Sequence, residues 1–219
     1  MTIRIHDNVF DKVFLDEMSL WLMQECNWKA NNVANRRSQP YGFEGSHRLL
    51  GSVFYINNEL SAAEYYRALN DNSNNKHLNE FLNMYEILQN SIQDVQQCLL
   101  QAIHANLQFY GMNGTFHLDG QVDQTVFIIM LAYHDITDDM GGEFYHERSG
   151  TWTTSPTAKI PFKQGRIIEM TANETHRADA FNVPHIPRFS LKFTGSNHSN
   201  HLTDKPNENN TNSLWRYIK

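Results

Sequence analysis

Apolar residues recur at helical spacing through the first half of the chain and at shorter, alternating spacing through the second, with the change near residue 107. Phe10, Val13, Phe14, Met18, Trp21 and Leu22 share one helical face, which predicts a helix that fades at Cys26-Asn27-Trp28. Asp7 or Asn8 is its expected cap, and a short strand at residues 3–5 is expected before it. Residues 29–52 hold Arg36-Arg37, Pro40-Tyr41-Gly42 and Gly45 and read as a long loop, either a binding loop or a plain surface excursion. A strand is expected at 52–56 and a short helix at 61–69. The stripe Leu78, Phe81, Leu82, Tyr85, Leu88, Ile92, Val95, Leu99 and Ile103 predicts one long helix over 78–103. No second helix of matching pattern follows, so it is expected to lie along a sheet rather than in a coiled coil.

Beyond residue 107 the predicted strands are 107–110, 115–118, 125–133, 143–146, 159–162, 166–170, 177–181 and 189–193. Gly111, Gly114, Gly120, Gly141-Gly142, Gly150 and Gly165 punctuate them. A series of about eight short strands suggests a double-sheet jelly roll or a barrel. The stretch from Gly195 to Asn212 is polar, and the apolar end Leu214-Trp215-Arg216-Tyr217-Ile218 is expected to dock back on the body.

Composition narrows the class. The chain has 219 residues, 40% of them hydrophobic, enough for a real core and against bulk disorder. A net charge of −6 argues against a domain that clamps phosphate backbones, so nucleic acid is not an expected partner. Two cysteines, Cys26 and Cys98, make neither a disulfide framework nor a zinc finger. The first residues carry no apolar signal region, and the longest apolar run, Val126 to Tyr133, is too short to span a bilayer. The expectation is a soluble, cytoplasmic protein with no membrane partner.

Three short motifs carry the chemistry. In Phe116-His117-Leu118-Asp119-Gly120, strand alternation points His117 and Asp119 to one face. Alone, such a pair reads as a surface hydrogen bond. His176 then returns on a later strand, and two imidazoles with one carboxylate make a set that suits non-haem Fe(II) and leaves coordination positions open. Arg188 and Ser190 share a face of the last strand. Taken alone, Arg188 reads as a salt-bridge partner of Glu169 or Asp179; inside a barrel, a guanidinium is also suited to meet an incoming carboxylate.

Together, His117-x-Asp119, His176 and Arg188-x-Ser190 resemble the Fe(II)/2-oxoglutarate-dependent dioxygenase superfamily, and its prolyl-4-hydroxylase-like group in particular. Gly141-Gly142-Glu143, Ile160-Pro161-Phe162 before Gly165-Arg166-Ile167-Ile168, and Pro187-Arg188-Phe189-Ser190-Leu191-Lys192-Phe193 resemble that group's strand openings and final core strand. The resemblance implies an α+β fold, a double-stranded β-helix (jelly roll) over 107–194 with buttressing N-terminal helices in 1–106 and a polar tail over 195–219. It implies Fe(II) held by His117, Asp119 and His176. It also implies 2-oxoglutarate chelating the iron and pairing through its far carboxylate with Arg188, Ser190 and Tyr133. Ascorbate is an optional accessory. The implied reaction hydroxylates an unactivated C–H bond while 2-oxoglutarate and dioxygen become succinate and carbon dioxide. The substrate is a peptide, protein or small molecule, with a peptidyl residue such as proline favoured.

The remaining histidines are expected to be secondary. His134 faces away from Tyr133, His146 and His185 read as loop or rim residues, and His6, His47, His77, His104, His198 and His201 read as ordinary. Tyr145, Trp152 and Arg177 lie near the implied mouth, while Arg36, Arg37 and Arg48 read as solvated surface. Two other classes stay open: a cupin-like metal-dependent enzyme without a 2-oxo acid, and a non-catalytic jelly-roll binding module. The chain has no His-x-His pair, a feature common in the former, and it keeps every iron ligand that the latter is free to lose.

Overall fold

A computed structural model describes residues 3–33, 48–56, 78–92, 98–147 and 158–197. In order, these form β1 (Arg4–His6), α1 (Lys12–Gln24), β2 (Lys29–Val33), β3 (Arg48–Ile56), α2 (Leu78–Ser91), β4 (Cys98–Gln108), β5 (Gln124–Ala132), β6 (Phe144–Glu147), β7 (Ala158–Ile160), β8 (Ile167–Thr171), β9 (Thr175–Ala178) and β10 (Arg188–Asn197). A 3₁₀ turn at Asp138–Met140 precedes β6.

Seven strands make a major sheet in the order β1-β8-β5-β10-β4-β3-β2, and three make a minor sheet in the order β7-β6-β9. Every pairing is antiparallel. An isolated bridge, His117 to His176, adds the segment around His117 to the edge of the minor sheet. Two sheets facing each other with these crossovers make a jelly roll, mostly β with few helices.

The central strand β5 shows why the fold forms. Phe127, Ile129 and Leu131 pack into a cluster with Leu22 of α1 and Phe81 and Leu88 of α2. Val126, Ile128, Met130 and Ala132 pack into a second cluster with Phe144, Ile160 and Phe181 of the minor-sheet side. Alternation thus feeds two cores from one strand, and burial on both faces is why this stretch reads as a continuous apolar run.

The first half of the chain departs from the sequence expectation in several places. The helix from Phe10 is α1, but its cap is Asp11, whose side chain accepts from Phe14 N at 2.8 Å. Asp7 is engaged elsewhere, gripped by Arg166 at 2.9 and 3.0 Å and by Lys163 at 3.1 Å. The expected loop at 29–52 is strand at both ends, in β2 and β3. The expected helix over 78–103 stops at Ser91, and β4 begins at Cys98, so the strand expected at 107–110 is only the end of a longer one. β4 forms because β10 and β3 pair with it on either side. Opposite the step from Thr194 to Gly195 its partners jump from Ala102 to Leu100, a β-bulge that leaves Gln101 extra. The bulge brings Leu100 and Ile103 into the same core cluster, three residues apart, which is helical spacing on a strand. Residues 115–118 contribute the single bridge rather than a regular strand. The expected helix at 61–69 and the apolar end at 214–218 lie outside the described residues.

Candidate metal centre

The open end between the sheets is lined from both sides. β10 turns Arg188, Ser190 and Lys192 inward, β4 contributes Asn106 and Gln108, and the minor-sheet side brings His117, Asp119 and His176. The pocket encloses about 430 Å³, its open mouth included.

His117 and His176 are locked together by reciprocal backbone bonds of 3.0 and 3.1 Å, while Asp119 N and Gly120 N both donate to Ala172 O at 2.9 Å. These bonds set the three side chains with donor atoms within 4.8 Å of one another. His117 Nδ1 lies 2.7 Å from Thr115 O, and His176 Nδ1 lies 3.0 Å from Glu174 O. A carbonyl only accepts, so each Nδ1 carries the proton and each Nε2 presents a lone pair. Those lone pairs meet Asp119: His117 Nε2 stands 3.7 Å from Oδ1 and His176 Nε2 3.2 Å from Oδ2. Phe144 stacks on the His176 ring at 5.3 Å and fixes its plane.

Asp119 is ionised. Burial raises its carboxyl, but the ammonium of Lys192 leads the groups that outweigh burial and hold it well below the usual range. Lys192 Nζ donates to Oδ1 at 2.6 Å, whereas buried Oδ2 has no hydrogen-bond partner among the described residues. The two imidazoles and the anionic carboxylate converge on one point, where Asp119 Oδ2 has no hydrogen-bond partner among the described residues. Two imidazoles and a carboxylate so placed fit a divalent cation.

Arg188 is fully buried. Its Nε donates to Gly142 O at 3.1 Å and its Nη1 to Gln108 Oε1 at 2.9 Å, while Nη2 has no partner among the described residues. Gln108 is itself fixed by donating to Met112 O and Ala178 O, each at 2.9 Å. Burial lowers the guanidinium to about 10, with Asp179 opposing, so it stays charged at neutral pH. Gly142 is required at this point. Its φ is +78°, and a Cβ there would lie 2.4 Å from Phe181 Cε1.

The structure therefore gathers His117, Asp119, His176, Arg188 and Ser190 in one pocket. It does not bring Tyr133 there. β5 ends at Ala132, whose phase is inward, so Tyr133 turns outward, 37% exposed, against the ring of His134. Glu169 is not the partner of Arg188; it is buried at the other face, bonded to Arg4 and, at 2.7 Å, to His6. His146 is no rim residue: it is buried on β6 opposite His176, with Nε2 2.8 Å from Glu174 Oε2. His6 and His104 are not ordinary either: His6 bonds to Glu169, and burial, helped by Lys192, drives the His104 imidazole down to about 3. Tyr145 and Arg177 sit outside the pocket lining, stacked on each other at 4.3 Å. Trp152, Arg36 and Arg37 lie outside the described residues. Sequence reasoning missed Gln108 and Lys192. Lys192 was within reach, because it lies on the same strand face as Arg188 and Ser190.

No family model and no curated protein sequence matches the chain. Solved structures do match its fold. A 2OG-Fe(II) oxygenase family oxidoreductase from Burkholderia pseudomallei superposes with a TM-score of 0.55 at 13% identity, over 90% of this chain and 85% of that one. A prolyl-4-hydroxylase from Pseudomonas putida superposes with a TM-score of 0.50 at 11% identity, over 89% of this chain and 92% of that one. The fold is thus the jelly roll of the 2OG-Fe(II) oxygenases.

Proposed function

We propose that this chain is an Fe(II)/2-oxoglutarate-dependent dioxygenase that hydroxylates an unactivated C–H bond, converting 2-oxoglutarate and dioxygen to succinate and carbon dioxide. One observation carries the reading: two imidazole lone pairs and an orphaned carboxylate oxygen converge beside a buried arginine whose Nη2 is also orphaned. A divalent metal answers the first set and a ligand carboxylate the second.

His117, Asp119 and His176 hold the iron, which supplies the activation of dioxygen. Arg188 receives the far carboxylate of 2-oxoglutarate, and Ser190 lies beside it in the pocket. Gln108 and Gly142 O keep the guanidinium aimed, so little freedom is lost when the co-substrate arrives. Ile128, Phe144 and Ala178 keep part of the pocket wall apolar, which excludes water and strengthens the charge pairings inside. A peptidyl residue such as proline is the proposed substrate class, on the prolyl-hydroxylase-like motifs at Gly141-Gly142-Glu143 and around Gly165-Arg166.

The test is anaerobic titration of apo-protein with Fe(II) and then 2-oxoglutarate, watched in the visible. A weak charge-transfer band that needs both additions, and is absent from His176→Ala, supports the assignment. Metal uptake without the band points to a cupin-like enzyme that uses no 2-oxo acid. No metal uptake points to a non-catalytic module.

A further inference from the structure

One charged group in the pocket has no part in the chemistry proposed above. Lys192 lies on β10 beyond Ser190, in register with His104 on β4 and Ile128 on β5. Its side chain is only 15% exposed, and its Nζ is bonded to Asp119 Oδ1. A buried ammonium beside a metal ligand repels the very cation that the site gathers. Its placement on one oxygen of the carboxylate gives it a use. A carboxylate with both oxygens free binds a metal through one or through both. Coordination through both takes up a position that a chelating ligand needs. Lys192 occupies Oδ1, and the oxygen left without a partner is Oδ2, on the His176 side.

We propose that Lys192 is a positioning residue that restricts Asp119 to one-oxygen coordination and so keeps a metal position open for the chelating co-substrate. The proposal rests on the metal-site reading and goes beyond it. The experiment titrates wild-type, Lys192→Met and Lys192→Arg apo-proteins with Co(II) anaerobically, then titrates each Co(II)-loaded protein with 2-oxoglutarate. Thermal melts confirm folding. In Lys192→Met, Co(II) binds about ten-fold tighter or more, because a repelling charge is gone and a second oxygen is free. The same variant binds 2-oxoglutarate about ten-fold more weakly or worse, and its Co(II) ligand-field bands move. Lys192→Arg, which keeps the charge and the donor, stays near wild type in all three. Should the methionine variant not fold, Lys192→Gln, uncharged and shorter, is expected to move the same readouts in the same directions. Unchanged affinities in the uncharged variant overturn the proposal, and so does joint weakening of metal and co-substrate, the signature of a merely structural role. A wild-type protein that takes up no Co(II) overturns the metal-site reading, and this assignment with it.

Discussion

Gly142→Ala tests the link between the Gly-Gly step and the arginine pocket. Gly142 has a φ of +78°, and an added Cβ would lie 2.4 Å from Phe181 Cε1 and 2.6 Å from its Cδ1. Phe181 has little room to yield, being 1% exposed and braced edge-on by Phe162 at 4.9 Å. Gly111 is the control. Its φ of +79° is nearly the same, but nothing lies within 4 Å of its added Cβ. Left-handed backbone costs an L-residue about 1–2 kcal/mol, and both variants bear that cost. Gly142→Ala adds overpacking of about 1–3 kcal/mol, for a total of roughly 2–5 kcal/mol. For a chain of this size about 1 kcal/mol moves Tm by roughly 2–4 °C, so Gly142→Ala should lose about 4–20 °C and Gly111→Ala only about 2–8 °C. Thermal and denaturant unfolding of the two variants in parallel measures this difference. Because Gly142 O accepts from Arg188 Nε, the same substitution should also weaken 2-oxoglutarate binding, while Gly111→Ala leaves it unchanged. Equal destabilisation in the two variants would refute the packing argument.

Three further outcomes are expected. Arg188→Lys loses the planar fork and leaves Gln108 Oε1 without its donor, so isothermal titration should show 2-oxoglutarate binding weakened about 10- to 100-fold, with metal affinity unaffected. Mn(II) at about 100 times its Kd should stabilise the wild type by about 2.7 kcal/mol, read as a rise in Tm, and Asp119→Ala should abolish the rise. Asp7 is held at about 2, below its ordinary 3.8, chiefly by hydrogen bonding from Arg166. A depressed carboxylate contributes stability that is present above pH 3.8 and lost as pH falls through about 2. Asp7 is solvent-screened, so Asp7→Asn should cost under about 1 kcal/mol at neutral pH and flatten the acid limb of the stability curve.

The core strands were legible where one face of a strand repeats a single chemistry. Arg188 with Ser190 follows from alternation on β10, His117 with Asp119 shares a face although only His117 makes a strand bridge, and the structure brings both pairs to one pocket. Tyr133 was named through the resemblance, but Ile128, Met130 and Ala132 face the inner core, so alternation along β5 turns Tyr133 away from it. The helix over 78–103 was overextended for a different cause. Its stripe ran on through Leu99 and Ile103, and a four-residue step fits a strand as well as a helix. Gln108 was within reach of the expected strand at 107–110, where it alternates with the core residue Leu107, but no motif pointed to it. The pairing of β1 with β8 left no local trace, because Arg4, His6 and Glu169 are each unremarkable in their own neighbourhoods.

That last pairing bears on how the chain assembles. β1 closes one margin of the major sheet, β2 and β3 close the other, and the strands they bracket come later in sequence. β1 is made before β8, so it has no mate until β8 has been synthesised and has docked on β5. Contacts this distant in sequence are slow to form, and an unmated strand is a hazard while it waits. Arg4 and His6 give β1 a polar character during that interval, and the buried carboxylate of Glu169 collects both when β8 arrives. Charge here guards the waiting strand and then becomes the latch that closes the sheet.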